Sequence, residues 1–489
     1  MTNKTQSDKE TFTINEIRRI FRLNPDVVFY THTFSGKLVT LIACEGLIDG
    51  EALNDTVYER LSIFFRSKDG RALTEAEVIK TIHLPSVNKV EKRDAIITEV
   101  FTGRLLIFFH EEQFIISTDI SKRPQRTPEE TSTEVTIKGP RDDFIEDIVT
   151  NIALIRKRMR TESLAINKYE VGERTKTQVA VLFLDDVINK EAVQAIDRKM
   201  RKLHIDGIFS GTQLKELLSD RKFNFYPIFH YSGRPDFVVN SLLNGRMVIL
   251  IDGVQYGIIA PVNLAFLLKA AEDSENTYLY NSFERVIRLF GILIAIFVPG
   301  LWVALISFHQ NQIPIAFLGT IIESRKGVPL PAAVEAMFML LLFEFFKEAG
   351  LRLPLAIGST LSVVGGLIIG DAAIRAGLAS PLMIVLIATS SVATYTLVSL
   401  SIHGVVSILR IFVIIISSFF GLYGFFVALF LIVLYGANIQ TFGVSYFSVP
   451  ENFAFKQMLK TIFRLPEVKY KTRPALLKTA DSTKKREES

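Results

Sequence analysis

Three carboxylates stand within an apolar segment of the C-terminal half of the chain. Glu335, Glu344 and Glu348 fall in residues 331–348, among Met, Leu and Phe side chains. An ionisable group in such a setting is costly unless it faces water, a charged partner or an ion path. The alternative is an amphipathic helix at a lipid surface, with its acids among the headgroups. Glu335 lies about half a turn away from the face that Glu344 and Glu348 share, so one helix does not aim all three at one path.

A second candidate site lies on a predicted helix over residues 355–374. One face carries a polar residue, two apolar residues and a carboxylate at helical spacing: Thr360, Val364, Leu367 and Asp371. In an assembly of several copies this face would line a pore, with Leu367 as a dewetting constriction and Asp371 as a cation-attracting ring. Three glycines would let the helix shift or rotate at little cost: Gly365, Gly366 and Gly370. Close helix packing against small residues is the alternative use of this segment.

The sequence contains no arrangement typical of an enzyme. It has no Walker A loop, Rossmann glycine fingerprint, zinc-type Cys/His spacing or nucleophile elbow. The single cysteine, Cys44, lies in the apolar run 38–44, which predicts a buried strand thiol. We therefore expect a protein without catalytic residues, cofactor or metal ion.

The apolar residues that position the candidate sites are concentrated toward the C terminus. With 489 residues, 49% of them hydrophobic, and a mean hydropathy of +0.29, the chain is too apolar for an ordinary soluble protein. Runs without Lys, Arg, Asp or Glu begin at Leu289. Four of them are long enough to cross a hydrocarbon core of about 30 Å, namely 289–308, 355–374, 380–400 and 411–435. The shorter run 313–322 predicts a re-entrant or interfacial piece.

Basic residues predict the orientation of these crossings. Arg285 and Arg288 stand just before the first run, and eight Lys or Arg residues follow Phe463. By the positive-inside rule both termini are cytoplasmic, which requires an even number of crossings. Four runs satisfy this. If the interruption 421–424 splits the last run into a hairpin, the short segment 313–322 must cross as well. The tail lacks aromatic interleaving, so we expect no nucleic-acid partner.

The first 285 residues contain an internal repeat. Residues 45–53 resemble 185–193 at an offset of 140, and residues 94–107 resemble 236–249 at an offset of 142. Each copy predicts a strand, an acidic turn that opens a helix, further helices, a Gly-Arg turn and two more strands. Helix N-caps are predicted at Asp49 and Asn189, and glycines with positive φ at Gly103 and Gly245.

The predicted fold is therefore an α/β cytoplasmic region of two tandem homologous subdomains followed by an α-helical polytopic membrane domain. The first subdomain covers 1–134, the second 135–285, the membrane domain 286–450 and a basic cytoplasmic tail 451–489. A duplicated α/β unit without a reactive cluster suits binding, sensing or oligomer packing.

Several short motifs resemble those of the A subunits of nutrient germinant receptors (GerA type) of spore-forming bacteria. They are Gly-Pro-Arg at 139–141, Phe-Ile-Glu-Asp at 144–147, the run 150–156, Arg-Pro-Asp at 234–236, Asn-Gly-Arg at 244–246, Ser-Phe-His at 307–309, Val-Pro at 328–329, Glu-Ala at 335–336, the run 348–354 and the pattern from 357 to 373. The resemblance extends from about residue 135 to residue 450 in the order of the family's motifs. Gly233, Leu340 and Lys347 depart from the family's pattern, and the first 130 residues match weakly.

The resemblance implies a subunit of the spore inner membrane that works with a transporter-like B subunit, which binds the nutrient, and a lipoprotein C subunit. It also implies a ring of copies, possibly a pentamer, that acts as a nutrient-gated channel for monovalent cations and triggers germination. Leu367 is then the favoured narrow point. A non-conducting scaffold or signalling subunit and a germination-associated paralogue remain alternatives. A secondary transporter is disfavoured, since repetition appears only in the N-terminal region and not in the apolar half.

Overall fold

The computed structural model of the chain describes residues 12–67, 73–122, 139–140, 142–219, 224–352, 370–447, 463–464, 466 and 471–484. The chain divides into two compact units. The α/β unit contains residues 1–222, 231–261 and 470–489, and the helical unit contains residues 223–230 and 262–469.

The α/β unit consists of two repeats, each with one five-stranded sheet. Repeat 1 contains β1 (Val27–Phe34), β2 (Lys37–Cys44), β3 (Asn88–Lys89), β4 (Arg104–Phe109) and β5 (Phe114–Asp119), with helices α1 (Ile14–Ile20), α2 (Glu59–Ser67), α3 (Glu75–Thr81) and α4 (Arg93–Phe101). Repeat 2 contains β6 (Leu164–Val171), β7 (Thr177–Leu184), β8 (His230–Ser232), β9 (Met247–Ile251) and β10 (Gly257–Ala260), with helices α5 (Ile148–Arg158), α6 (Lys190–Arg201), α7 (Gly211–Leu218) and α8 (Pro235–Leu243).

The two sheets have the same strand order and register. The order is β1-β2-β4-β5-β3 in repeat 1 and β6-β7-β9-β10-β8 in repeat 2. Leu41 pairs with Ile107 across β2 and β4, and Val181 pairs with Ile249 across β7 and β9. These pairs are related by the offsets of 140 and 142 found in the sequence. The predicted tandem repeat is confirmed down to the strand register.

The central strands are predominantly apolar because both faces of each sheet are buried. In repeat 1, Leu41 and Ile107 pack with residues of α2 and α3 in one core cluster. Ile42 and Cys44 point to the opposite face and pack with residues of α1 and α4 in a second cluster. Cys44 has no exposed surface, as predicted. A sheet covered by helices on both sides gives continuous apolar strands rather than alternating ones.

The predicted turn residues are confirmed. Gly103 and Gly245 have φ values of +86° and +88°, a region that favours glycine, where each chain leaves a helix and enters a central strand. The Asp49 carboxylate accepts a hydrogen bond from the Glu51 amide at 3.0 Å. The Asn189 side chain accepts one from the Glu191 amide at 2.9 Å, and it caps α6.

The helical unit contains seven α-helices among its described residues. They are α9 (Leu264–Leu267), α10 (Tyr278–Phe308), α11 (Ile315–Ser324), α12 (Ala332–Arg352), α13 (Gly370–Arg375), α14 (Pro381–Tyr395) and α15 (Leu400–Ala437), and a short hairpin of β11 (Gln440–Thr441) and β12 (Val444–Ser445) follows. Two helical stretches, Tyr278–Phe308 and Ser401–Ala437, are long and apolar enough to cross a membrane. The boundary drawn at residue 286 from the sequence falls inside α10, and residues 262–285 belong to the helical unit.

Helix α15 folds back on itself at Gly421, which has φ 57° and ψ −140°. A straight helix of its 38 residues would be about 57 Å long. Instead, both of its ends contact one short segment of the helical unit. Ser399 Oγ lies 3.3 Å from His230 Nδ1, and the carbonyl oxygen of Ile432 accepts a hydrogen bond from the Tyr226 hydroxyl at 3.2 Å. The interruption at residues 421–424 therefore splits the last apolar run into a hairpin, which is one of the two alternatives that the sequence left open for this run.

Candidate functional site

Glu335 lies near the start of α12 and has no exposed surface. Its Oε1 atom accepts hydrogen bonds from the Ser380 amide at 2.6 Å and the Ser380 hydroxyl at 2.5 Å. Ser380 caps α14, so the carboxylate lies at the positive end of that helix, where a negative charge is stabilised. Arg325 Nη2 lies 3.5 Å from Glu335 Oε2 and supplies the countercharge.

Glu344 lies on α12 and pairs with Arg410 in the first half of α15. Arg410 Nη2 is 2.9 Å from Glu344 Oε1, and the arginine side chain is only 2% exposed. The same carboxylate oxygen accepts a hydrogen bond from Ser407 Oγ at 2.6 Å. Lys347 Nζ lies 3.5 Å from Glu344 Oε2, on the more exposed side of the carboxylate.

Arg410 also links this pair to the other long helices. Its Nη1 donates to Ser390 Oγ of α14 at 2.9 Å, and Ser390 Oγ donates to the Ala295 carbonyl of α10 at 2.9 Å. We call this set of five residues the Glu344–Arg410 network: Glu344, Arg410, Ser407, Ser390 and Ala295. It connects α10, α12, α14 and α15 by polar contacts in an otherwise apolar environment.

The network contains no group arranged for covalent chemistry. Its physical property is that of a buried ion pair. Such a pair adds little net stability when complete, but removing one partner leaves a charge without compensation and costs about 3–5 kcal/mol. The pair therefore fixes the register of α12 against α15. Any rearrangement of these helices must break the pair or carry both partners together.

The structure assigns different surroundings to the carboxylates predicted from the sequence. Glu335 and Glu344 have basic partners inside the helical unit. Glu348 is exposed near the end of α12. Asp371 is exposed on α13 and pairs with Arg375 of the same helix at 2.8 Å.

Of the remaining residues proposed for the pore helix, the structure describes Gly370. Gly370 begins α13, and among the described residues a Cβ atom at this position would meet no heavy atom within 4 Å. Five of the predicted site residues lie outside the described residues: Thr360, Val364, Gly365, Gly366 and Leu367. Their role stays a prediction.

Sequence reasoning missed Arg410 as a site residue. The last apolar run of the sequence begins at residue 411, whereas the helix begins at Leu400 and places Arg410 well inside it. The signal was present in the sequence. Arg410 is the only Lys, Arg, Asp or Glu residue between residues 401 and 437. A lone charge within so long an apolar helix indicates a buried partner.

A second ionic cluster lies at the start of α10. Asp273 accepts from Arg285 and Arg288, with nitrogen to oxygen distances of 3.0 Å for both pairs. Arg288 also donates to the Leu268 carbonyl at 2.9 Å, and Arg464 donates to the Asn276 carbonyl at 3.0 Å. The two arginines that were predicted to flank a membrane crossing are therefore buried and fix the first turns of α10.

In the α/β unit, a bidentate ion pair joins the two repeats. Arg156 of α5 donates through Nε and Nη2 to the Asp26 carboxylate at 2.7 and 3.0 Å. The guanidinium has no exposed surface and lies 4.3 Å from the centre of the Phe101 ring. Burial and the neighbouring Asp26 carboxylate raise the pKa of the Cys44 thiol well above its usual range. Cys44 is therefore a packed, protonated thiol rather than a nucleophile.

The chain matches one protein family over most of its length. The family model described as Bacillus/Clostridium GerA spore germination protein matches residues 15–476. "Spore germination protein XA" of Bacillus anthracis is 41% identical, with 98% of each chain covered. "Spore germination protein B1" of Bacillus subtilis (strain 168) is 30% identical over 97% of this chain and 98% of the relative.

One solved structure is also similar. It is the crystal structure of the N-terminal domain of the A subunit of the Bacillus megaterium spore germinant receptor GerK3, with 22% sequence identity and a TM-score of 0.40. The match covers 51% of this chain and 92% of that domain.

Proposed function

Because this chain belongs to the Bacillus/Clostridium GerA spore germination protein family, we propose that it is the A subunit of a nutrient germinant receptor. In this proposal the subunit resides in the spore inner membrane and acts with a transporter-like B subunit and a lipoprotein C subunit. Several copies assemble around a cation path, and nutrient binding to the receptor opens that path. The released monovalent cations start germination.

The contacts within the helical unit support a multi-pass arrangement. Helices α12 and α14 begin on the same side, because Glu335 near the start of α12 bonds to Ser380, which caps α14. Two parallel neighbours require a return crossing between them, which the predicted run 355–374 supplies. The full set is then α10, α12, residues 355–374, α14 and the two halves of α15, which is an even number of crossings. In this set α12 takes the place of the short run 313–322 as the extra crossing that the hairpin requires. An even number fits the tail, since residues 470–489 belong to the same compact unit as residues 1–222.

Ion conduction is assigned to the segment 355–374. Leu367 forms the narrow point of the ring, and Thr360 and Val364 line the same face. Asp371 lies at the end of this face, and its side chain is 55% exposed. An exposed carboxylate repeated around a ring attracts cations to the entrance of a pore.

The observation that carries the gating proposal is the Glu344–Arg410 network. Coupling between nutrient and pore requires contacts that differ between a closed and an open state. A buried pair that joins α12 to α15 and reaches α10 and α14 is such a contact, since movement of one of these helices against another separates its charges. We assign it to the closed state. Movement of α12 on opening then breaks the pair and shifts the segment that follows Arg352.

The test is potassium release from spores that carry Leu367→Ala in this chain, measured before and after nutrient is added. The matched control is Leu378→Ala, an apolar residue that lies outside the proposed pore face and is 41% exposed. Leakage without nutrient, or a changed release rate at equal receptor abundance, supports the channel. Release identical to that of wild-type spores removes Leu367 from the pore and favours a non-conducting scaffold subunit.

A further inference from the structure

The two repeats differ at the place where the chain leaves the sheet. In repeat 1 the chain continues past β5, and the Lys122 amide donates to the Leu47 carbonyl at 2.9 Å. Ser121 also forms an isolated bridge with Ile48. These contacts cover the turn that contains Gly103, where an added Cβ atom would lie 3.0 Å from Ser121 Cβ. Repeat 1 thus covers this turn with the residues that directly follow its strand β5.

Repeat 2 does not cover the equivalent turn with the residues that directly follow its strand β10. Strand β10 ends at Ala260, and from Val262 the chain belongs to the helical unit. The equivalents of Leu47 and Gly103 are Val187 and Gly245, at the offsets of 140 and 142 that relate the repeats. The residues from Val262 onward belong to the helical unit and do not cover Val187 and Gly245 as residues 121–122 cover Leu47 and Gly103.

The C-terminal segment covers the turn that contains Gly245 instead. The Ala480 amide donates to the Val187 carbonyl at 2.9 Å, which reproduces the contact of Lys122 with Leu47. A Cβ atom added at Gly245 would collide with the Thr479 side chain, just as one at Gly103 meets Ser121. Residues 479–480 therefore replace residues 121–122, although they lie far from repeat 2 in the sequence.

The segment is shaped for this position by its own contacts. The Arg473 amide donates to the Ser482 carbonyl at 2.8 Å, and Thr472 forms a bridge with Thr483. Arg473 Nη1 lies 2.9 Å from Asp481 Oδ2, and its Nε donates to the Leu243 carbonyl at the end of α8 at 2.9 Å. A cation at a helix C terminus is favourably placed. The segment is a compact loop with one anchor on Leu243 and one on Val187.

We propose that residues 471–484 form a separable strap, and that repeat 2 carries a peptide-binding groove for it, made by the Leu243 and Val187 carbonyls and the Cβ-free surface of Gly245. The occupant is the strap of the same chain. All of these contacts lie within the α/β unit, so the strap does not depend on ion conduction.

Hydrogen exchange of the full-length protein tests the strap, with Ala480→Pro compared with Ala480→Ser. Proline removes the N–H that bonds to Val187, whereas serine keeps it. Position 480 is exposed, so neither side chain displaces a packed neighbour. The strap amides of the wild-type and serine proteins should exchange at least about fivefold more slowly than those of a free 471–484 peptide, the effect of one typical hydrogen bond. The proline variant should lose this protection, while segments around residues 47 and 122 stay unchanged. Equal exchange in the two variants, or exchange of the wild-type strap at the free-peptide rate, overturns the proposal.

A fluorescent 471–484 peptide tests whether the groove is a separable site. It should bind the Ala480→Pro protein, whose own strap is released, and not the wild-type protein. Binding to both proteins equally, or to neither, contradicts a peptide groove. A photoreactive side chain at position 480 identifies the source of the strap. Cross-links within one chain support the proposal, and cross-links only between two chains overturn the assignment to the same chain.

Discussion

Replacement of Arg410 by Met should destabilise the helical unit more than any exposed charge change in it. Arg410 is 2% exposed and bonds to both Glu344 and Ser390, so its removal leaves the carboxylate without its closest cation. Removing one partner of a buried pair costs about 3–5 kcal/mol. We expect the lower end of this range, because Lys347 lies 3.5 Å from the carboxylate and the Glu344 side chain is 30% exposed.

The assay is thermal melting of the full-length protein in detergent. A loss of about 3 kcal/mol lowers the melting temperature of a unit of this size by roughly 6–12 °C. Arg375→Met is the matched control, since Arg375 is 79% exposed and its pair with Asp371 is a surface pair. Surface pairs contribute about 0–1 kcal/mol, so this control should melt close to the wild-type protein.

The double variant Glu344→Gln, Arg410→Met separates a buried ion pair from simple loss of packing. Removing both charges should recover most of the stability, because replacement of a whole buried pair by neutral groups is often nearly neutral. A double variant that loses the sum of the two single effects would show that the charges do not interact. Melting of Arg410→Met within about 2 °C of the wild-type protein, far less than the shift expected from a broken buried pair, would also contradict this role of Arg410.

Two further predictions concern the α/β unit. Asp26→Asn should lower the free energy of unfolding by about 3–5 kcal/mol in a denaturant titration, because it leaves the buried Arg156 guanidinium without its carboxylate. The control is Lys168→Ala, which removes the half-exposed ion pair of Lys168 with Glu45. Equal effects of the two substitutions would contradict the prediction. Burial, with the hydrogen bond to Asp197, raises the pKa of Tyr169 to about 12. The folded-state pKa lies above the usual value near 10, so the contribution of neutral Tyr169 to the free energy of unfolding is complete below pH 10 and should be lost as pH rises through 12. Melting curves recorded across this pH window should show a smaller loss of stability for Tyr169→Phe than for the wild-type protein.

The sequence by itself determined the repeat, its turns and the family. These features depend on residues close together in the chain, such as an apolar run, a capping side chain and a glycine after a helix. Gly103 and Gly245 are examples, because only a residue without Cβ enters positive φ at little cost. Short-range patterns of this kind are copied together when a unit is duplicated, so an offset in the sequence reports an equivalence in the fold.

The sequence also offered a hairpin at Gly421 but left it open against a straight crossing. Only the packing decided between them. The two halves of α15 are each predominantly apolar, so the hydrophobic pattern is the same in either topology. Contacts of Ser399 and Ile432 with residues 224–230 select the folded form.

Tertiary structure alone decided which charges meet. Glu344 and Arg410 are 66 residues apart, and Asp26 and Arg156 are 130 apart. Ala480 bonds to Val187 although nearly the whole helical unit lies between them in the sequence. Periodicity and composition indicate that a buried charge must have a partner, but they contain no distance between remote segments. The identity of each partner follows from how helices and sheets pack, because the low polarity of the interior makes an unpaired charge too costly to keep.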